Sequence, residues 1–340
     1  MKRPRPSWNP TDIRGLARLI SRVENRDPGT LATLAQMHDA QHGAHRLGMT
    51  GPPGAGKSTL VDQLIRRFRE SGERVAVLAI DPSSPFSGGA LLGDRIRMQT
   101  HAGDDGVYIR SIGSRGARGG LAQAARAITE IFDAYGYDRI LIETVGVGQS
   151  EFDIMELADT TLVILVPEAG DTVQTLKAGL LEIADGFVVN KGDRPGADAM
   201  AQALAAMIAL DAHGDHPIQE EHDAAHRVTR ETIASPSSAT GAWAIPVLTT
   251  TALTGDGIDR LYATIRAHQS WMAHHPAASE KKRAVRRAAF YTLCATLWLE
   301  RVEQAVADNP ALARIVDAIA RGKANPYDMA QKILAQCATS

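Results

Sequence analysis

Residues 51–58 read GPPGAGKS, and this octapeptide decides the fold. It fits the pattern G-x-x-x-x-G-K-[ST]. The glycines of such a loop let backbone N–H groups turn inward as an anion nest at a helix N-terminus. The flanks agree. A β-rich run, RLGMT (46–50), precedes it, and Leu60, Val61, Leu64, Ile65 and Phe68 follow at helical spacing, with Gly72 placed as a C-cap. The reading therefore places Gly51, Pro52, Pro53, Gly54, Ala55, Gly56, Lys57, Ser58 and Thr59 around the phosphates of a nucleotide. Lys57 reaches the β- and γ-phosphates, and the Ser58 hydroxyl ligates Mg²⁺.

Working outward, further β-rich runs alternate with helical patterns. They are RVAVLAID (74–81), VYIRSIG (107–113), RILIET (139–144), TLVILVP (161–167), GFVVN (186–190) and AIPVLTT (244–250). Several are apolar without alternation, as expected of strands buried on both faces of a parallel sheet. The pattern predicts a doubly wound, mainly parallel α/β core across 46–270. Before it, Ile13, Leu16, Leu19, Ile20 and Val23 fall at helical spacing, so 1–45 reads as an N-terminal helical extension. Residues 206–242 read as a helical insertion and an exposed loop, ASPSSATG. After Trp271 the chain turns helical again. Phe290, Leu293, Leu297 and Val302 form a stripe that one helix cannot bury alone, so 271–340 must pack on the body or on another chain.

The bulk numbers exclude several classes. The 340 residues are 44% apolar and 22% charged, with a formal net charge of −2. That balance gives no broad attraction to nucleic acid or anionic membrane. MKRPRPSW is basic but lacks the apolar h-region of a secretory signal. Runs such as TLVILV are too short to span a bilayer, which takes about 20 residues. Cys294 and Cys337 lie outside any CxxC, so a disulfide framework is not expected and a reducing cytoplasm fits.

The base and the metal each have candidates. NKGD (190–193) follows a strand-like run, where an open parallel sheet places ligand contacts. Guanine presents N1–H and N2–H₂ side by side, and the Asp193 carboxylate can accept both; adenine has no such donor pair. Asn190 can bond the other purine edge, and the Lys191 stem can lie over the ring. TTALTGDGI (250–258) resembles the Ser-Ala-x element of GTPases, whose backbone contacts guanine. Thr251 stands in place of the Ser, followed by Ala252 and Leu253. Three acids stand at strand ends or in a Gly-flanked loop: Asp81, Asp94 and Glu143. They can converge on one Mg²⁺, which takes oxygen ligands and keeps several waters. Glu143 is one carbon longer than the Asp common at such strand ends, and the extra length would reach metal-bound or attacking water. Gly146 would bring its N–H to the γ-phosphate and act as a hinge, and Gln149 is a candidate for orienting water. Arg95, Arg97, Arg115 and Arg118 identify no arginine finger.

Taken together, GPPGAGKST, AIDPSSPFSGGALLGDRIRM, ILIETVGVGQSE, LVPEAGDTVQTLKAGLLEIAD and NKGD resemble the methylmalonyl-CoA mutase-associated GTPases, a branch of the SIMIBI-class P-loop GTPases. They are similar also to proteins once labelled arginine/ornithine transport kinases. The likeness spans most of 10–270. It implies a homodimeric, Mg²⁺-dependent GTPase that escorts an adenosylcobalamin-dependent acyl-CoA mutase. Such proteins gate cofactor loading by GTP binding and hydrolysis and protect the mutase; adenosylcobalamin itself is met only through the partner. By the resemblance Asp81, Asp94 and Glu143 match the metal-site acids. Gln174 and Lys177 match a switch that senses nucleotide and partner, and 271–340 matches a helical dimerisation arm. Three places differ from the family pattern: SIGSRGARGG (111–120) lacks the Pro- and Ser-rich form, NKGD has Gly where Ala is usual, and the chain after 206 shows little match.

Two other readings use the same core. A nickel-insertion GTPase would carry a Cys- or His-rich relay, and His213, His216, His222 and His226 are the one candidate, with no Cys beside them. A kinase acting on a small molecule or transport protein would need a base beside an acceptor hydroxyl. The destination of the γ-phosphate, water or acceptor, separates the two.

Overall fold

In this computed structural model the described residues are 8–81, 99–101, 103–113, 120–144, 157–168, 183–211 and 243–338. The chain forms two compact units, Met1–Ser279 and Glu280–Ser340.

The first unit is built on a seven-stranded sheet. Its strands are β1 (His45–Thr50), β2 (Val75–Asp81), β3 (Val107–Gly113), β4 (Arg139–Thr144), β5 (Thr160–Leu165), β6 (Gly186–Val189) and β7 (Val247–Thr249), in the order β3-β2-β4-β1-β5-β6-β7. Every pairing is parallel. All seven β-rich runs of the sequence become strands. Their continuous apolar character has a direct cause: along β2, Val75 and Val77 face one core while Ala76, Leu78 and Ile80 face the other.

One face of the sheet is covered by α3 (Lys57–Glu70), whose Leu60, Leu64 and Phe68 join Leu47 and Met49 of β1. The other face is covered by α4 (Gly120–Ala134) together with α1 (Ile13–Glu24) and α2 (Leu31–Asp39). Asp12 caps α1 by accepting from Gly15 N at 2.8 Å. Leu16 and Ile20 of α1 are fully buried in the same cluster as Ile128 and Phe132 of α4. At the far side, α5 (Ala197–Asp211) packs on β6, and α6 (Ile258–His274) adds Leu261 and Ile265 to the α3 face.

In the second unit, α8 (Pro310–Ala320) and α9 (Pro326–Ala338) bury Leu312 and Ile333 against Val302, Ala305 and Val306 of α7 (Pro276–Asp308). Elsewhere α7 leaves apolar residues exposed, among them Phe290, Tyr291 and Leu299. No helix among the described residues is long and apolar enough to cross a membrane.

Candidate nucleotide-binding site

The loop between β1 and α3 begins with Gly51 at φ 145°, a backbone region that favours glycine. A Cβ there would lie 2.0 Å from the Ile164 carbonyl oxygen of β5, which is fixed in the sheet. Only glycine lets the chain leave β1 at this angle. Lys57 opens α3 and is buried; its Nζ donates to Gly51 O at 2.7 Å and Pro52 O at 2.9 Å. The ammonium is thus held on the loop's own carbonyls, as a buried charge requires.

Glu143 answers its extra length here. β4 lies beside β1, with Met49 opposite Glu143. The buried Glu143 reaches across this pair, and Ser58 Oγ donates to its Oε1 at 2.6 Å, a charge-assisted bond. One residue on, Thr144 Oγ1 donates to Thr50 Oγ1 at 3.0 Å. Two neighbouring strand ends are therefore stitched side chain to side chain where the loop begins. The Ser58 hydroxyl and the Glu143 carboxylate are adjacent hard oxygen donors, a set that fits Mg²⁺. Asp81 ends β2 at the same carboxyl edge of the sheet, one residue beyond the Ile80–Thr144 pair. Its side chain lies outside the described residues. So do Asp94, Gly146, Gln149, Gln174 and Lys177, and the His213–His226 stretch. Among the described residues no cluster of three or more His, Cys, Asp or Glu stands ready for a metal.

The segment after β6 is tied to the phosphate loop. Asn190 is buried, and its Nδ2 donates to Ala55 O at 2.8 Å. Its Oδ1 accepts from Ala252 N at 3.1 Å and Thr250 Oγ1 at 3.2 Å. A carbonyl acceptor and an amide donor on opposite sides fix which way the carboxamide points. One of its two amide hydrogens and both oxygen lone pairs are thus engaged within the protein. Lys191 follows at φ 58°, a left-handed conformation uncommon for a residue with a Cβ. Asp193 is exposed at the tip, beside an ion pair of Arg194 with Glu168 that holds the Glu168 carboxyl below its usual range. Thr251 is half-buried, Ala252 buried and Leu253 85% exposed.

The Gly at 192 also has a local reason. A Cβ there would meet Thr249 Cγ2 at 2.6 Å, and Gly192 N donates to Thr250 O at 2.9 Å, so the two segments are in close contact. Sequence reading singled out neither Thr50 and Thr144 nor Gln63, whose Nε2 donates to Ala252 O at 2.8 Å. Nothing in their residue types distinguishes them; the sheet order and the return of the chain at 250–253 make the contacts.

A parallel sheet with a glycine-rich loop entering a helix, and a second loop bonded to it at the same strand edge, defines a P-loop nucleotide-binding protein. The family model described as "Methylmalonyl Co-A mutase-associated GTPase MeaB" matches residues 16–310, and the chain belongs to that family. The match runs well past residue 206, where the sequence had shown little likeness. A Pyrococcus horikoshii relative with a provisional GTPase name is 40% identical over 95% of this chain and 94% of its own. The mouse "Methylmalonic aciduria type A homolog, mitochondrial" is 37% identical over 67% of this chain and 49% of its own. A solved structure described as an LAO/AO transport system kinase superposes with a TM-score of 0.59, at 22% identity, over 97% of this chain and 99% of that one; it shares the fold.

Proposed function

We propose that this chain is a Mg²⁺-dependent GTPase that serves an adenosylcobalamin-dependent acyl-CoA mutase as its chaperone. The observation that carries the reading is the family match along most of the chain, with the mutase association in the family's description. The mouse relative's name points the same way.

Each residue then has a task. The peptide N–H groups of 54–59 receive the phosphates, and Lys57 exchanges its loop carbonyls for phosphate oxygens. Mg²⁺ held by Ser58, with Glu143, Asp81 and Asp94 around its waters, would offset charge on the phosphoryl group. Asp193 accepts from guanine N1–H and N2–H₂. Gly146 and Gln149 stand three and six residues beyond Glu143 in the chain, so nucleotide state at the metal-side acid is transmitted to them. Gln174 and Lys177 form a second responsive segment that the mutase reads. Functionally this gives a nucleotide-binding body at 46–270, an extension at 1–45 and a dimerisation arm at 271–340. The exposed Phe290, Tyr291 and Leu299 on α7 support a second copy as the partner that covers them.

The test is GTP turnover by the purified chain with Mg²⁺, alone and with candidate adenosylcobalamin-dependent mutases. Phosphoryl transfer in such proteins is mostly positioning, and the intrinsic rate is slow until a partner completes the site. Acceleration by one mutase, with the γ-phosphate released to water, is the expected result. Turnover that no mutase changes would remove the chaperone reading, and transfer of phosphate to an organic acceptor would replace it with a kinase.

A further inference from the structure

The peptide between Ala252 and Leu253 is clamped at one end. Gln63 lies on the second turn of α3, half-buried, and its Nε2 donates to the Ala252 carbonyl oxygen at 2.8 Å. On the other side of the same residue, Ala252 N–H donates to Asn190 Oδ1 at 3.1 Å. Ala252 is 3% exposed, so both of its backbone groups depend on these side-chain partners. The chain is held further by Thr251 N donating to Asp256 O at 3.0 Å and Thr254 N to Thr251 O at 3.1 Å. The Leu253 N–H, in contrast, makes no hydrogen bond among the described residues.

A trans peptide is planar, with its C=O and N–H pointing in opposite directions. Fixing the Ala252 oxygen toward α3 therefore aims the Leu253 N–H away from α3. We infer that Gln63 is a positioning residue for purine recognition: it orients the 252–253 peptide so that the Leu253 N–H donates to the exocyclic oxygen at C6 of a guanine base. In this role Gln63 acts through the 252–253 peptide rather than on the base itself. It joins the helix that begins in the phosphate loop to the loop that reads the base. The inference rests on the reading of 190–193 and 251–253 as the base site.

The chemistry sets the test. Gln63→Met keeps the length and packing of the side chain and removes its carboxamide, leaving the Ala252 carbonyl without its donor. GDP carries the oxygen at C6; 2-aminopurine riboside diphosphate has the same phosphates and 2-amino group but lacks that oxygen and, with it, the N1–H that Asp193 accepts, so the readout is the change each ligand shows between wild type and variant. Dissociation constants of both ligands are measured on the full chain, wild type and Gln63→Met, together with the thermal midpoint of each protein without nucleotide. The expected result is a loss of about tenfold in GDP affinity, the scale of one lost and misdirected hydrogen bond, with the 2-aminopurine ligand changed less than twofold.

If both ligands weaken alike, or the midpoint falls while neither affinity moves, Gln63 only supports the fold and the inference fails. Unchanged binding of both ligands at an unchanged midpoint also overturns it. The underlying reading has its own control in the wild type. A wild-type chain that binds the two ligands equally has no site for the C6 oxygen, and base reading and inference then fall together, before any variant is made.

Discussion

At the scale of single residues, one carbon separates two predictions at position 143. Glu143 spans the gap from β4 to the first turn of α3 and accepts from Ser58 at 2.6 Å. Glu143→Gln retains an oxygen acceptor of the same length, so Ser58 keeps its partner while the negative charge is lost. This variant should fold normally and lose roughly 10–100-fold in Mg²⁺ affinity, read by titrating turnover with metal. Glu143→Asp keeps the charge and withdraws it by one carbon, so it should restore less activity than its charge alone would suggest. Equal turnover of Asp and Glu would show that reach is irrelevant. A second prediction concerns Gly192, whose added Cβ would meet the Thr249 methyl at 2.6 Å. Gly192→Ala should weaken GDP binding several-fold, and Thr249→Ser, which removes that methyl, should recover most of the loss. The double-mutant cycle would then show a coupling of about 0.5–3 kcal/mol, and additive effects would mean the two residues do not press on each other.

At the scale of elements, α3 is where the described contacts of the site meet. Its first turn carries Lys57 and Ser58, and its second carries Gln63. Asp62 accepts from Thr100 Oγ1 at 2.9 Å and from the ring of His101 at 2.7 Å, holding the chain that leads into β3. Other elements carry structure. The stripe of α1 was legible in the sequence as Leu16, Leu19, Ile20 and Val23, but what it packs on was not. It lies on α4, and Arg110 of β3 binds Glu24 of α1 at 2.6 Å. A core partner rather than a loose appendage makes Ile20→Ala costly, by about 2–5 kcal/mol in denaturant unfolding of the full chain. A loss below about 0.5 kcal/mol, the size of an ordinary surface change, would show that α1 is dispensable to the core.

At the scale of the molecule, the N-terminal edge of the sheet closes over an aromatic group of Tyr108, Phe132 and Tyr137, with ring centroids 5.6–6.3 Å apart. Burial pushes the Tyr137 phenol up to about 12, opposed by the Arg74 guanidinium over its ring. The folded state therefore holds the phenolic proton more tightly than the unfolded chain, whose phenol titrates near 10. Its contribution to stability is complete below pH 10 and is lost as pH rises from 10 to about 12. Denaturation midpoints at pH 9 and 11 should fall more steeply in the wild type than in Tyr137→Phe. Identical slopes would mean that Tyr137 does not ionise differently in the two states.

The primary structure alone determined the nucleotide-binding class, because a phosphate cradle needs glycines and a lysine at fixed local spacing. It also determined the seven strands, since burial on both faces leaves continuous apolar runs. The candidate base motif stood out for the same reason: Asn190 to Asp193 form one short contiguous stretch. What only tertiary structure decided was which distant residues meet. Ser58 and Glu143 are 85 positions apart, and their contact exists because β4 inserts beside β1 in the sheet. Gln63 and Ala252 are 189 positions apart, and theirs exists because the chain returns past β7 to the flank of α3. Strand order and chain return are set by the packing of whole layers, so no local pattern around Glu143 or Gln63 carries them.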